Sequence, residues 1–187
     1  MKKEIRILGI DDAPFDKFKD KKVLVVGTVY RGGNYMDGLI SCHADVDGSN
    51  STDSLISLIK KTKHKAQLQA IMLKGIALGG FNVVDIKRLY KKTKLPVIVV
   101  MKKSPDLEDI RKALENVKNG SEKWNLIEKA GKITKILHLY VQSAGISNKS
   151  IREIIKITCM HGKVPEPIRV AHLIASGIAT GESRGRA

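Results

Sequence analysis

Residues 4–12 read Glu4-Ile5-Arg6-Ile7-Leu8-Gly9-Ile10-Asp11-Asp12, an apolar, β-branched run that ends in two carboxylates. Ile5, Ile7 and Ile10 favour an extended strand, and Leu8 supplies a second buried face. Ala13-Pro14 then stops the run, because proline cannot donate to a ladder. Asp11 or Asp12 is therefore expected at the C-terminal lip of a central strand, where open α/β sheets collect ligands and chemistry. An acidic pair after a strand can equally be an Asx turn that solvates a loop. These nine residues leave both readings open.

Working outward, residues 23–30 (Val-Leu-Val-Val-Gly-Thr-Val-Tyr) predict a second strand, Arg31-Gly32-Gly33-Asn34 a hairpin turn, and residues 36–46 the return strand. Links this short make the three strands an antiparallel meander. Asp47-Gly48-Ser49-Asn50 is a turn, with Ser51 or Thr52 as helix N-cap. The stripe Leu55, Ile56, Leu58, Ile59 predicts a helix to about Lys63 or His64. A fourth strand covers 68–73 with Ile76, and Gly75, Gly79 and Gly80 break it ahead of a helix over 82–92. Residues 95–101 are apolar enough to be a fifth strand buried on both faces. Ser104-Pro105-Asp106 opens a third helix to about Lys118. A short helix over 122–130 carrying Trp124, a strand over 132–141, and helices over 149–160 and from Pro165 to about Ser176 complete the chain, ahead of a small, basic tail. The order joins three antiparallel strands to parallel ones through right-handed crossovers. It predicts one α/β domain over 1–187, a mixed sheet flanked by helices. By analogy this is the ribonuclease-H-like arrangement, which sets carboxylates on the first strand, after the third strand or on the first helix, and at the end of the fourth.

With 187 residues and 42% hydrophobic content, the chain can bury one core. It contains no apolar run near the ~20 residues of a membrane helix. The Met-Lys-Lys start leads into Glu4 and Arg6 and not into a signal-peptide core. Two cysteines, Cys42 and Cys159, form no disulfide framework and suit a reducing compartment. Nearby His43 and His161 do not complete the four ligands of a structural zinc site. A cytoplasmic protein with no membrane partner is expected. The net charge of +15, from 34 Lys+Arg against 19 Asp+Glu, favours a polyanion, nucleic acid above all, bound through its phosphates. A lysine-rich thermophile surface would balance its signs better. Aromatic residues make up only 4%, too few for a base-stacking platform. The glycines from Gly75 to Gly80 lack the Gly-Lys-Ser/Thr of a P-loop, so a nucleotide or phosphometabolite binder is the weaker alternative.

Two stretches carry a family resemblance. His161-Gly162-Lys163-Val164-Pro165-Glu166-Pro167-Ile168-Arg169-Val170-Ala171-His172 resembles the Pro-Glu-Pro-x-Arg-x-Ala segment of endonuclease V, and Gly9-Ile10-Asp11 resembles that family's first-strand Gly-Val-Asp. Over nearly its whole length the chain is more similar still to the archaeal endonuclease dU family. The features that carry this are Gly27-Thr28-Val29-Tyr30-Arg31-Gly32-Gly33, Gly79-Gly80-Phe81-Asn82-Val83-Val84-Asp85 and Gly181-Glu182-Ser183. The resemblance implies a nuclease that cuts DNA at deaminated bases of the uracil type, with carboxylates holding Mg²⁺, or Mn²⁺ in its place. It implies Asp11 as first-strand metal ligand and, by position only, Asp47 as a second; Asp47-Gly48 also reads as a plain turn.

The chain departs from that pattern at Lys74. Both families generally carry Asp-Gly at the end of the fourth strand, where this sequence reads Ile71-Met72-Leu73-Lys74-Gly75. An ammonium there competes with the ion, so Lys74 is expected within about 4 Å of Asp11 or Asp47. Asp12 or Asp85 could substitute as ligand, although Asp85 sits where a helix dipole partner would. Arg169 and His172 share a helix face, His172 as acid–base or phosphate ligand and Arg169 as phosphate clamp or as partner of Glu166. Arg31, Lys102 and Lys103 are candidates for a basic rim that contacts phosphates. The alternative function is a catalytically silent nucleic-acid-binding protein of the same fold. The oligomeric state is open, a dimer included.

Overall fold

The computed structural model describes residues 4–183. The Met-Lys-Lys start and the last four residues of the basic tail lie outside the described residues. The expected meander is present: β1 (Arg6–Asp12), β2 (Lys22–Arg31) and β3 (Tyr35–Asp45) pair antiparallel. Helix α1 (Ser51–Lys61) then crosses to β4 (Ala70–Lys74), which lies parallel to β1. Helix α2 (Ile86–Thr93) crosses to β7 (Val97–Met101), parallel to β4. Between them a small hairpin, β5 (Ala77–Leu78) with β6 (Asn82–Val83), stands apart from the main sheet. After α3 (Leu107–Glu115) and α4 (Gly120–Lys129) comes a hairpin of β8 (Thr134–Ile136) and β9 (Leu139–Ala144), whose β9 pairs antiparallel with β7 while β8 forms the edge. The seven-stranded sheet has the order β3-β2-β1-β4-β7-β9-β8. Helices α5 (Asn148–Thr158) and α6 (Glu166–Thr180) close the fold.

Alternation along the strands sorts the core into two layers. Leu8, Ile10, Ile71, Leu73, Val97 and Val99 pack on Leu55, Ile56 and Ile59 of α1 and on Ile86 and Leu89 of α2. Ile7, Met72, Ile98 and Val100 point the other way, onto Ile151, Ile154 and Ile155 of α5 and Ile168 of α6. Ile7, Leu8 and Ile10 are fully buried, and each contributes about 1.5–3 kcal/mol by leaving water.

The start of α6 is seated on β1 by the absence of a side chain. A Cβ on Gly9 would stand 2.3 Å from the carbonyl carbon of Pro167. The adjacent Thr28 hydroxyl donates to the Pro167 carbonyl at 2.6 Å.

Three expectations need correction. The single strand over 132–141 is two strands, folded back at Leu137 and His138, with Leu137 in the left-handed region at φ 56. The helix over 82–92 starts only at Ile86. Asn82 is buried, donates to the Asp45 carbonyl and Asn50 Oδ1, and accepts from the Ser51 N–H, which fixes it in the hairpin. Asn50, not Ser51 or Thr52, is the N-cap residue of α1. Ser51 donates instead to the Val83 carbonyl, and Thr52 accepts from the Asp85 N–H.

Candidate active site

The parallel pairing of β1 with β4 (Ile10 beside Leu73) brings Asp11 and Lys74 to neighbouring strand ends. Both leave the sheet on the α6 side, where His172 comes down from the helix. Lys74 Nζ lies 2.9 Å from Asp11 Oδ2, so the expected lysine–aspartate contact is made with Asp11. His172 Nδ1 lies 2.8 Å from the same oxygen and 2.9 Å from Lys74 Nζ. With the ring proton on Nε2, Lys74 donates to both partners; with it on Nδ1, His172 and Lys74 both donate to Asp11. The side chain of Asp11 is 5% exposed, against 15% for His172 and 29% for Lys74. A sealed carboxylate thus carries one ammonium and one imidazole that face the opening.

Asp12, one residue on, points to the opposite face. Its Oδ2 accepts from the Gly79 N–H at 2.8 Å. Burial pushes its carboxyl up to about 6, and the neighbouring Asp11 adds to the rise; the Gly79 N–H and Lys74 oppose it. Asp47 belongs with this second carboxylate. Its N–H donates to the Gly79 carbonyl, its Oδ1 accepts from the Phe81 N–H, and its carbonyl accepts from Lys123. Asp47 sits at φ 50, and a Cβ on Gly80 would fall 2.4 Å from its Oδ1. Asp12 and Asp47 therefore clamp the Gly79–Phe81 turn from two sides.

The structure does not bring together all the residues singled out in the sequence. Asp11, Lys74 and His172 meet. Asp47 shares no hydrogen-bond partner with Asp11. Lys102 and Lys103 follow β7 and lie exposed at the same edge as Lys74. Arg31 pairs with Arg6 at the other end of β1 and is bound to Asp37 at 2.7 Å. Arg169 holds the buried Glu166 through two nitrogens, which fits the structural reading of that residue. Asp85 caps α2 by accepting from the Arg88 N–H, and Lys129 binds its other oxygen at 2.6 Å. Burial works against its charge, but Lys129 and the backbone N–H outweigh it and hold the carboxyl below its usual range.

Sequence reasoning missed the division of Asp11 from Asp12, although strand alternation signals it. It also missed the apolar pockets on either side of the lip. One, about 280 Å³, is lined by Lys74, Val100, Lys102, Leu139, Val164 and Ile168. The other, about 260 Å³, is lined by Ile76, Phe81, Ile110 and Gln142 among others, and Gly75 and Met101 border both.

The donor set does not fit the Mg²⁺ ion that the resemblance implies. Of the two expected carboxylate ligands only Asp11 is in the cluster, and an ammonium already neutralises it. Among the described residues no group of three His, Cys, Asp or Glu side chains could hold a metal. No helix of the described residues is long and apolar enough to cross a membrane.

Fold and lip define a ribonuclease-H-like protein with a polar cluster centred on one carboxylate at the open end of its parallel strands. Comparison with known proteins narrows the class. The profile of the endonuclease dU family matches residues 3–179, and the chain belongs to that family. It is 49% identical over 193 residues to a UPF0215 protein of Methanosarcina mazei, covering 100% of this chain and 97% of that one. A solved protein of unknown function from Archaeoglobus fulgidus superposes with a TM-score of 0.87 at 43% identity, covering 93% and 98% of the two chains. Endonuclease V of Ciona intestinalis, solved in complex with inosine-containing DNA, shares the fold with a TM-score of 0.56 at 16% identity, over 89% of this chain and 82% of that one.

Proposed function

We propose that the protein cuts nucleic acid, DNA in the first place, at deaminated bases, with Asp11, Lys74 and His172 as its reaction centre. The observation that carries this reading is the convergence of those three side chains within 2.9 Å at the strand ends of a chain from the endonuclease dU family. The family's name supplies the substrate class, and the DNA in the Ciona endonuclease V complex supports it.

In this arrangement Lys74 supplies positive charge at the lip, to which a phosphodiester is drawn. Asp11 holds both Lys74 and His172 in place. His172 is positioned to take a proton from water or return one to a leaving oxygen. Lys102 and Lys103 extend the positive edge for flanking phosphates. The apolar pockets beside the cluster offer room for a base turned out of its stack.

A second reading, binding without cleavage, is favoured by the Lys74–Asp11 contact itself, which occupies the carboxylate of the cluster. One experiment separates the two. Uracil- and hypoxanthine-containing duplexes are incubated with the wild type, Asp11→Asn and Lys74→Asp, each in EDTA, Mg²⁺ and Mn²⁺. Cutting by the wild type in EDTA that is lost in Asp11→Asn supports the reading. Cutting only by Lys74→Asp with a divalent ion supports the silent binder. Cutting by the wild type only with a divalent ion overturns the role given to Lys74.

A further inference from the structure

The positive charge of the chain is unevenly distributed. From Ser54 to Pro105 the sequence holds twelve Lys or Arg and one acid, Asp85, which is itself buried against Lys129. Lys74, Lys102 and Lys103 belong to the lip. Most of the others go to the far end of the sheet. Lys60 and Lys61 end α1, Lys63 and Lys65 follow it, and Lys91, Lys92 and Lys94 end α2; all seven are exposed.

The topology fixes where these helix ends lie. Helix α1 runs into β4 and α2 into β7, and the two strands are parallel neighbours. The helices pack side by side, and the Ile71 N–H bonds the Pro96 carbonyl at 2.8 Å where the chain enters the sheet. Their C-terminal ends therefore converge at the edge opposite the Asp11 cluster. Five residues of β4 separate the edges, roughly 13–17 Å of strand before the flanking turns are added. A straight duplex lying across the lip does not reach the other end.

Helix dipoles account for part of this pattern, since cations at the last turn of a helix meet its negative end. They do not account for seven lysines side by side. Among the described residues none of the seven has an acidic partner within salt-bridge distance. Asp53 lies in the first turn of α1, away from the cluster, and is taken by Arg88; Asp37, next to the Gly38 that packs on His64, is held by Arg6 and Arg31. Mutual repulsion makes such a cluster a cost to folding unless a polyanion meets it. Tyr90, the aromatic residue at this end of α2, is partly exposed but lays its ring against Gly145, and lysines contact phosphates without reading bases.

We infer that this edge is a second, sequence-independent binding site for the phosphate backbone of nucleic acid, so that one molecule holds two duplex segments, one at the lip and one at the opposite end. An acidic protein surface is the competing occupant, and the test includes it.

Two variants are made in the full chain, Lys60→Gln/Lys61→Gln/Lys63→Gln/Lys65→Gln and Lys91→Gln/Lys92→Gln/Lys94→Gln. The substitutions are exposed, and an unfolding midpoint no lower than that of the wild type confirms the fold. Affinity for an undamaged duplex is measured against salt, and bead-bound duplex is tested for protein-dependent capture of a second, fluorescent duplex. The wild type captures the second duplex and both variants lose capture. The quadruple variant lowers the slope of log K against log salt by about 2–4, near 0.9 for each phosphate contact removed. Lys102→Gln/Lys103→Gln leaves the far site's contribution to the slope in place. Unchanged slope and capture in both variants overturn the inference, as does polyglutamate displacing DNA from the wild type at equal charge concentration. Failure here is distinct from failure of the proposed reaction, because cleavage at saturating protein is unchanged in both variants whichever way capture falls.

Discussion

Asp12 offers a test of how the lip is held, through the substitution Asp12→Asn. Asparagine keeps the oxygen that accepts from the Gly79 N–H and removes the charge. The Asp12 carboxyl rises from 3.8 to about 6 in the folded protein, chiefly through burial. Below pH 3.8 it is protonated in both states and costs nothing. Between 3.8 and 6 the folded state holds the proton more tightly, so this group's contribution to stability falls as pH rises, and the loss is complete above 6. A shift of that size corresponds to at most about 3 kcal/mol, and partial exposure of the side chain reduces it to about 1–3 kcal/mol. Urea unfolding of wild type and Asp12→Asn from pH 4 to pH 8 reads the difference directly. The two should agree near pH 4, and the variant should be more stable by about 1–3 kcal/mol at pH 7.5, or about 2–9 °C in midpoint. A stability difference that does not change with pH, or a variant weaker than wild type at pH 7.5, would refute the argument.

Other substitutions probe the remaining contacts. Lys74→Met strips the buried Asp11 of its ammonium and should cost about 1–3 kcal/mol in urea unfolding, because its partner stays sealed while the lysine is partly exposed. Gly9→Ala drives a methyl into the Pro167 backbone; a loss of about 1–3 kcal/mol, with displacement of His172 visible in its ring resonances, is expected. Glu166→Gln removes the buried anion that Arg169 grips and should cost about 2 kcal/mol, whereas Arg169→Lys recovers only part of the bidentate geometry. Burial holds the Cys42 and Cys159 thiols up at about 11, so alkylation at pH 8 should run on the order of 100-fold slower in the native protein than in urea.

The meander and the crossovers were legible because β-branched runs and short links leave little choice of pairing. Lys74 was legible as a partner of Asp11, since parallel neighbours bring their ends together. Arg31 was placed wrongly although topology forbids it at the lip: the turn between β2 and β3 lies where β1 begins, not where it ends. Asp47 was found at the right strand end, but its hydrogen-bond partners, Gly79 and Phe81, come from a turn whose fold-back depends on two positive-φ glycines. The reversal at Leu137 and His138 had no local signal, since leucine rarely adopts φ 56. Packing of the β8–β9 hairpin, latched where His138 meets the Lys163 carbonyl at 2.7 Å, overrides that preference.

Because neighbouring residues of β1 leave the sheet in opposite directions, a single strand end serves two mechanical tasks. Asp11 anchors Lys74 and His172 under the last helix, while one peptide further Asp12 tethers a turn on the far layer. Deleting a lone residue ahead of the pair would move Asp12 into the place of Asp11 and Ala13 into that of Asp12. The ammonium would then face a backbone amide's former acceptor, and the glycine turn would lose its grip. The spacing from Gly9 to Asp11 is thus as much a part of the chemistry as the carboxylate itself.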